Sequence, residues 1–198
     1  MMSNDLFYGR FIFTKLKNNV KSEIVCTRLY FYEKSMPTVH FLCGYMGFGK
    51  STIARKLALQ YNAVILNDDE FMRELFGRNL PEEAFRSAHD KVSEFTWKLG
   101  ERIVSIGTSI IFDRGFWSRQ SRKAAVERAG RFCDSLLFHQ IECDMETAKK
   151  RVLNRTATDQ DALEINEDTF DVLSRHYEPI SPDEKLNVIY YKNTLPLF

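Results

Sequence analysis

Residues Gly44-Tyr45-Met46-Gly47-Phe48-Gly49-Lys50-Ser51 satisfy the spacing G-x-x-x-x-G-K-[ST] at every fixed position. The flanks constrain the fold as much as the octapeptide does. Before it, Val39-His40-Phe41-Leu42-Cys43 is a short, mostly apolar run that reads as a buried strand. After it, Thr52 to Ala58 places Ile53 and Leu57 on one helical face. Strand, glycine-rich turn and helix in this order form a phosphate loop. The glycines let the backbone wrap a phosphate chain without Cβ clashes. Successive N–H groups and the helix N-terminus then point at the anion. In that geometry Lys50 reaches the β- and γ-phosphates and the Ser51 hydroxyl ligates Mg²⁺. The expected nucleotide-binding set is Gly44, Tyr45, Met46, Gly47, Phe48, Gly49, Lys50, Ser51 and Thr52.

The rest of the chain alternates between strand and helix patterns. A second apolar run, Ala63 to Leu66, ends in Asn67-Asp68-Asp69-Glu70. A short helix from Phe71 to Phe76 closes at Gly77. Pro81-Glu82-Glu83 opens a long helix with an apolar face of Phe85, Ala88, Val92, Phe95, Leu99, Ile103 and Ile106, stopping at Gly107. A third strand, Ser109 to Phe112, runs into Asp113-Arg114-Gly115. A helix from Ser118 to Ala129 stops at Gly130, and a fourth strand spans Leu136 to Ile141. A helix from Met145 to Arg155 precedes a polar stretch, Thr156 to Glu164, that reads as a loop. Asn166 caps a helix through Phe170, Leu173 and Tyr177, Ser181-Pro182-Asp183-Glu184 is a capping-box signature, and Val188 to Tyr191 is a last strand. Such alternation predicts an α/β protein whose parallel sheet is covered on both faces.

Bulk properties set the remaining bounds. A chain of 198 residues, 44% hydrophobic and 28% charged, suits one domain with a real core. A formal net charge of +1 advertises neither nucleic acid nor membrane, and no apolar run approaches the ~20 residues of a membrane span. Cys26, Cys43, Cys133 and Cys143 form no C-x-x-C pair and no metal spacing, as expected of reduced thiols in a cytoplasmic protein. His40, His89, His139 and His176 are scattered and read as packing or surface residues. Residues 1–35 carry a net charge of +3 and clustered aromatics, unlike the rest. Two readings of the 1–36 extension stay open: a hairpin docked on the domain, or a stretch ahead of a native start at Met36. The nucleotide-binding domain is expected over 37–198, with a lid near 156–166.

In open parallel sheets, ligands bind beyond the C-terminal ends of the strands. The first three strands end in the phosphate loop, in Asp68-Asp69 and in Asp113-Arg114, so carboxylates arrive beside a triphosphate. That suits phosphoryl transfer, which needs a held Mg²⁺, an oriented acceptor oxygen and neutralised charge. Asp69 is the candidate catalytic base; the alternative is that Asp68, Asp69 and Glu70 only favour a helix N-terminus. Asp113 is a candidate for Mg²⁺ or its water shell; the alternative is a structural partner of Arg114. Arg151 and Arg155 lie one turn apart and precede the expected lid, where guanidinium groups serve the triphosphate. Arg114, Arg119 and Arg122 surround Gly115-Phe116-Trp117-Ser118, which lines an acceptor pocket or packs in the core. Tyr45, Met46 and Phe48 are bulky for their loop and are read as facing the acceptor.

These motifs together resemble the small P-loop kinase-like ATPases of the AAA_33 type, related to zeta toxins, chloramphenicol phosphotransferases and polynucleotide kinases. Besides the loop, Leu66-Asn67-Asp68-Asp69-Glu70-Phe71-Met72 is similar to that family's "SxDEWM" element. Ile110 to Arg119 is similar to "VVLDxGFWSR", and Tyr177 to Glu184 to "FEPPTPDE". The resemblance runs from about Pro37 to Glu184. It implies a three-layer P-loop NTPase fold with a five-stranded parallel sheet in kinase-type order, ATP and Mg²⁺ as ligands, Asp69 as catalytic aspartate and Arg151 and Arg155 as lid arginines. Phe71, Ile180 and Thr156 depart from the pattern, so acceptor specificity does not transfer. The leading expectation is an Mg²⁺-dependent phosphotransferase acting on a hydroxyl of a small molecule. Catalysis falls to Asp69, Lys50, Arg151 and Arg155, metal binding to Ser51 and Asp113, and the acceptor pocket to Asp69, Arg114, Trp117 and Arg119. The alternatives are a regulatory ATPase without acceptor and a polynucleotide-end kinase. No N-K-x-D element marks a GTPase switch.

Overall fold

A computed structural model describes residues 36–77, 80–158 and 165–192. Its centre is β1, Val39–Cys43, every residue of which is buried. Val39, Phe41 and Cys43 point to one face of the sheet and Leu42 to the other, as the two-residue period of a strand requires. A strand apolar on both faces must sit mid-sheet, and β1 pairs in parallel with β3, Ile110–Phe112, on one side and β4, Leu136–Glu142, on the other. Outside them lie β2, Val64–Leu66, and β5, Val188–Lys192, giving the all-parallel order β2-β3-β1-β4-β5.

Helices cover both faces. On one face α3, Glu82–Ser105, and α4, Arg119–Ala129, bury Trp97, Val104, Ala125 and Ala129 against Phe41, Phe112 and Phe138. On the other, α1, Lys50–Tyr61, α5, Met145–Thr158, and α6, Glu167–Ser174, bury Leu57, Ala148, Val152 and Phe170 against Leu42, Ile111 and Ile141. A short helix α2, Asp68–Phe76, packs Met72 on Ala88 and Val92 of α3. The expected three-layer α/β architecture and strand order are those observed.

Local departures have physical causes. Helix α2 begins at Asp68 rather than Phe71, because the Asn67 side chain accepts the Glu70 N–H and three acidic residues fill the first turn. Phe85, Phe95 and Ile106 do not belong to the buried face of α3; they are exposed. The buried stripe passes through Thr96, Trp97 and Gly100 instead. A Cβ on Gly100 would come 2.8 Å from Ile110 Cδ1, so glycine lets α3 lie directly on β3. Helix α5 runs on through Thr158, three residues past its expected end at Arg155. The rest of the expected lid, residues 159–164, and the 1–35 extension lie outside the described residues. Cys43, Cys133 and Cys143 are free thiols, and no described helix is long and apolar enough to cross a membrane.

A buried polar chain crosses the sheet. His40 Nδ1 lies 2.9 Å from His139 Nε2, and His139 Nδ1 lies 3.0 Å from the Tyr191 hydroxyl. Both imidazoles are fully buried. Burial depresses both to about 4, with the charge of His40 adding to the effect at His139. The unfolded chain takes up these protons near pH 6.5, so it binds more protons than the native state between pH 6.5 and 4. Stability is therefore complete above pH 6.5 and drains away as pH falls. Urea denaturation is expected to show a loss of roughly 2–4 kcal/mol at pH 4.5 relative to pH 7. His139→Gln is expected to flatten that slope; an equally steep slope in the variant would refute the assignment.

Candidate active site

The phosphate loop joins β1 to α1. Gly47 and Gly49 have φ of 76° and 91°, which glycine adopts without strain. A Cβ at Gly47 would fall 2.4 Å from the Ala148 carbonyl oxygen, so the loop is pressed against α5. Helix α1 starts with no side-chain cap and no acid in its first turn, and Ser51 and Thr52 are exposed there. The positive end of this helix is thus left uncompensated by the protein's own side chains, a setting that favours an anion. Lys50 Nζ donates to the Tyr45 carbonyl oxygen at 3.1 Å, folded back over the loop. Desolvation lowers the Lys50 pKa, and Arg155 lowers it further, against the opposing pull of Asp113 and Asp69.

The side chains of Tyr45 and Phe48 correct one expectation: they do not face an acceptor. Tyr45 is fully buried, and its hydroxyl donates to the Phe170 carbonyl at 2.5 Å. Its ring meets Phe48, Trp117, Phe170 and Tyr177 at centroid distances of 4.9–6.1 Å. Met46 packs, half-buried, on the same cluster. The bulky residues anchor the loop to α6 and to the segment before α4.

The two aspartates at the end of β2 take different places. Asp68 is buried, pairs with Arg114 at 2.8 Å and accepts the Thr96 hydroxyl at 2.8 Å. Asp69 stands exposed to solvent. The surrounding protein still desolvates its carboxyl enough to raise its pKa, helped by Asp68 and Asp113 and opposed by His89 and Lys50. Asp113 is brought alongside when its N–H bonds the Leu66 carbonyl, joining the ends of β3 and β2. The Asn67 amide then donates to its Oδ2 at 3.0 Å. Lys50, Asp69 and Asp113 therefore converge at neighbouring strand ends, each within electrostatic reach of the others. Ser51 and Asp113 offer oxygen donors of the kind Mg²⁺ takes when phosphates and water complete its shell. No cluster of three or more His, Cys, Asp or Glu suited to a metal occurs among the described residues.

Arg151 donates to the Gly47 carbonyl at 3.1 Å and to Cys143 Sγ at 3.4 Å, so it lies against the loop, and the Arg155 charge acts on Lys50. Arg114 and Arg119 do not form the expected acceptor pocket. Arg114 turns inward to Asp68, Ser93 and Thr96 and over the Phe112 ring at 4.8 Å. Arg119 grips Asp183 and Ser181. Trp117 packs on Tyr45 at 5.2 Å, and its indole Nε1 lies so close to residue 115 that a Cβ there would clash at 2.0 Å. Sequence reading missed the Asn67–Asp113 and Asp68–Arg114 contacts. It also missed Ser93 and Thr96 of α3, which hold Arg114 and Asp68.

Comparison with known proteins agrees with the fold. The family model of AAA_33, described as an AAA domain, matches residues 39–180. The shikimate kinase of Baumannia cicadellinicola subsp. Homalodisca coagulata is 30% identical over 132 residues, covering 63% of this chain and 73% of that protein. The fold is similar to a kinase structure from Chloroflexus aurantiacus, with a TM-score of 0.63, 16% identity and coverage of 81% and 87% of the two chains. It is also similar to Chaetomium thermophilum Kti12 in complex with ADP-AlF3, with a TM-score of 0.57, 16% identity and coverage of 77% and 89%.

Proposed function

The chain belongs to the AAA_33 family of P-loop kinase-like proteins, and from that membership we propose that it transfers the γ-phosphate of ATP to a hydroxyl of a small molecule. The observation that carries this reading is the convergence of Lys50, Asp69 and Asp113, with Asp69 exposed and Asp68 withdrawn. A hydrolase switch needs the loop and a metal, but it does not need an open carboxylate at the end of β2.

The roles follow from the chemistry. The acceptor oxygen attacks the γ-phosphorus, the bond from phosphorus to the β–γ bridging oxygen breaks, ADP leaves, and Asp69 takes the hydroxyl proton. The N–H groups at the start of α1 hold the phosphates. Lys50 leaves the Tyr45 carbonyl for the β- and γ-oxygens, and Arg151 and Arg155 neutralise charge from the opposite wall. Ser51 and Asp113 would hold Mg²⁺, which would supply charge screening of the phosphates toward the attacking oxygen.

The test is ATP consumption with and without a panel of hydroxylated sugars, polyols, cyclic hydroxy acids including shikimate, antibiotics and oligonucleotide ends. Turnover stimulated by a small-molecule acceptor, with a phosphorylated product, is the expected result. Equal hydrolysis under every condition would instead favour a regulatory ATPase, and stimulation by oligonucleotide ends alone a polynucleotide kinase.

A further inference from the structure

The phosphotransfer roles leave the Tyr45 side chain unused, although it is the loop's most deeply buried. Its ring is enclosed by Trp117, Phe170 and Tyr177, with centroids 4.9–5.8 Å away. Apolar packing alone would accept phenylalanine there. The hydroxyl has a specific partner instead: it donates to the Phe170 carbonyl of α6 at 2.5 Å in a buried bond. From α6 the contacts continue to α5. Phe170 shares a core cluster with Ala148 and Val152 of α5. Glu167 and Asp171 of α6 pair with Lys149 of α5 at 3.2 and 2.9 Å. Two residues further along α5, Arg151 returns to the loop and donates to the Gly47 carbonyl at 3.1 Å. Ala148 closes the same approach, because a Cβ on Gly47 would fall 2.4 Å from its carbonyl oxygen. The contacts form a closed ring: loop residue Tyr45 to α6, α6 to α5, and α5 back to loop residue Gly47.

We propose that Tyr45 is a positioning residue for Arg151: its hydroxyl fixes α6 as a brace that keeps α5, and with it the Arg151 guanidinium, against the phosphate loop. The proposal rests on the reading in which Arg151 neutralises triphosphate charge. An arginine is long, and ordering it costs rotamer freedom. A helix already braced against the loop leaves less of that ordering to the nucleotide, so the bound state gains affinity without a new contact. The packed cluster between α5 and α6 transmits a shift of one helix to the other. Tyr45→Phe keeps the ring and its packing but leaves the buried Phe170 carbonyl short of one donor. A competing route runs through Lys50, whose Nζ rests on the Tyr45 carbonyl at 3.1 Å. That route does not pass through Arg151, so a double-mutant cycle separates the two.

The experiment measures ATP affinity by calorimetry on the full chain in the wild type, Tyr45→Phe, Arg151→Met and the double variant, with acceptor-dependent turnover in parallel. Tyr45→Phe is expected to weaken ATP binding about three- to tenfold, the scale of one buried hydrogen bond. In the Arg151→Met background the same substitution is expected to change affinity by less than about twofold, because the group it positions is gone. Lys149→Met cuts the ring at a pair whose acids face solvent, so folding does not depend on it. It is expected to weaken ATP about two- to threefold, again only where Arg151 is present. A loss in Tyr45→Phe that is equal with and without Arg151 would overturn the brace and show Tyr45 acting on the loop alone. Unchanged affinity in both Tyr45→Phe and Lys149→Met would also overturn it. Coupling in ATP binding with no acceptor-stimulated turnover in the wild type would leave the brace standing and remove the phosphotransfer reading; acceptor turnover without the coupling would do the reverse.

Discussion

Asp69→Asn is expected to lower acceptor-dependent turnover by about 10²–10⁴-fold while ATP affinity changes little. Asparagine keeps the length and planarity of the side chain but cannot take a proton. Asp69 lies at the end of β2, whereas the phosphate-binding groups come from the loop, α1 and α5, so ATP binding is expected to survive. The pH profile gives a second readout. Desolvation raises the Asp69 pKa above the ordinary carboxylate range near 4. A base works only when deprotonated, so kcat/KM should rise with pH through a midpoint above that range, and Asp69→Asn should abolish this limb. Asp68→Asn provides the contrast. Asp68 is buried against Arg114 and Thr96, so its substitution is expected to lower the unfolding midpoint first. Calorimetry with ATP and acceptor turnover measured on both variants separate the two aspartates; equal turnover in Asp69→Asn and wild type would remove the catalytic assignment.

What the sequence made legible, and what it hid, follows from the range over which each feature is determined. Strand β1 and the phosphate loop are local: an apolar run buried on both faces, then glycines whose left-handed φ values no other residue adopts cheaply. Asn166 as a cap and Ser181 with Glu184 as a capping box are equally local, and each makes the expected bond. The face of α3 was misread because hydrophobicity alone selected Phe85, Phe95 and Ile106. The true contact depends on a missing Cβ at Gly100 and on Thr96 reaching Asp68, and neither contributes an apolar signal. The acceptor arginines were misassigned for a related reason. Nothing near Arg114 or Arg119 in sequence reveals that Asp68, 46 residues earlier, or Asp183, 64 residues later, claims them. The basic cluster around Trp117 is therefore committed to the packing of the fold.

The segment from Glu178 to Glu184 carries the largest expected effect on stability. Arg122 on α4 is 1% exposed. Its Nε and Nη2 donate to the two oxygens of Glu184, both at 2.7 Å, and its Nη1 donates to the carbonyls of Phe116 at 3.0 Å and Glu178 at 2.8 Å. Bidentate geometry and two carbonyl acceptors supply partners for a guanidinium that burial would otherwise strand. The same Glu184 carboxylate accepts the Ser181 N–H, and Glu178 accepts the Arg119 N–H at the start of α4. One arginine thus fastens α4, the Phe116–Trp117 turn and the approach to β5 together. Arg122→Met removes the cation and leaves Glu184 buried without it, so unfolding free energy is expected to fall by about 3–5 kcal/mol. Arg122→Met combined with Glu184→Leu removes both charges and is expected to recover a large part of that loss, because the cost lies in the stranded carboxylate more than in the missing attraction. The pH dependence distinguishes this from a packing defect. Its hydrogen bond to Arg122 lowers the Glu184 pKa. That stabilisation is present above the unfolded carboxylate range and is lost as pH falls through the folded value. Arg122→Met should therefore lose most stability near neutral pH and progressively less in acid, where Glu184 protonates. Urea denaturation of the single and double variants across that range measures it, and a loss that is the same at every pH and in the double variant would show that Arg122 acts only by filling space.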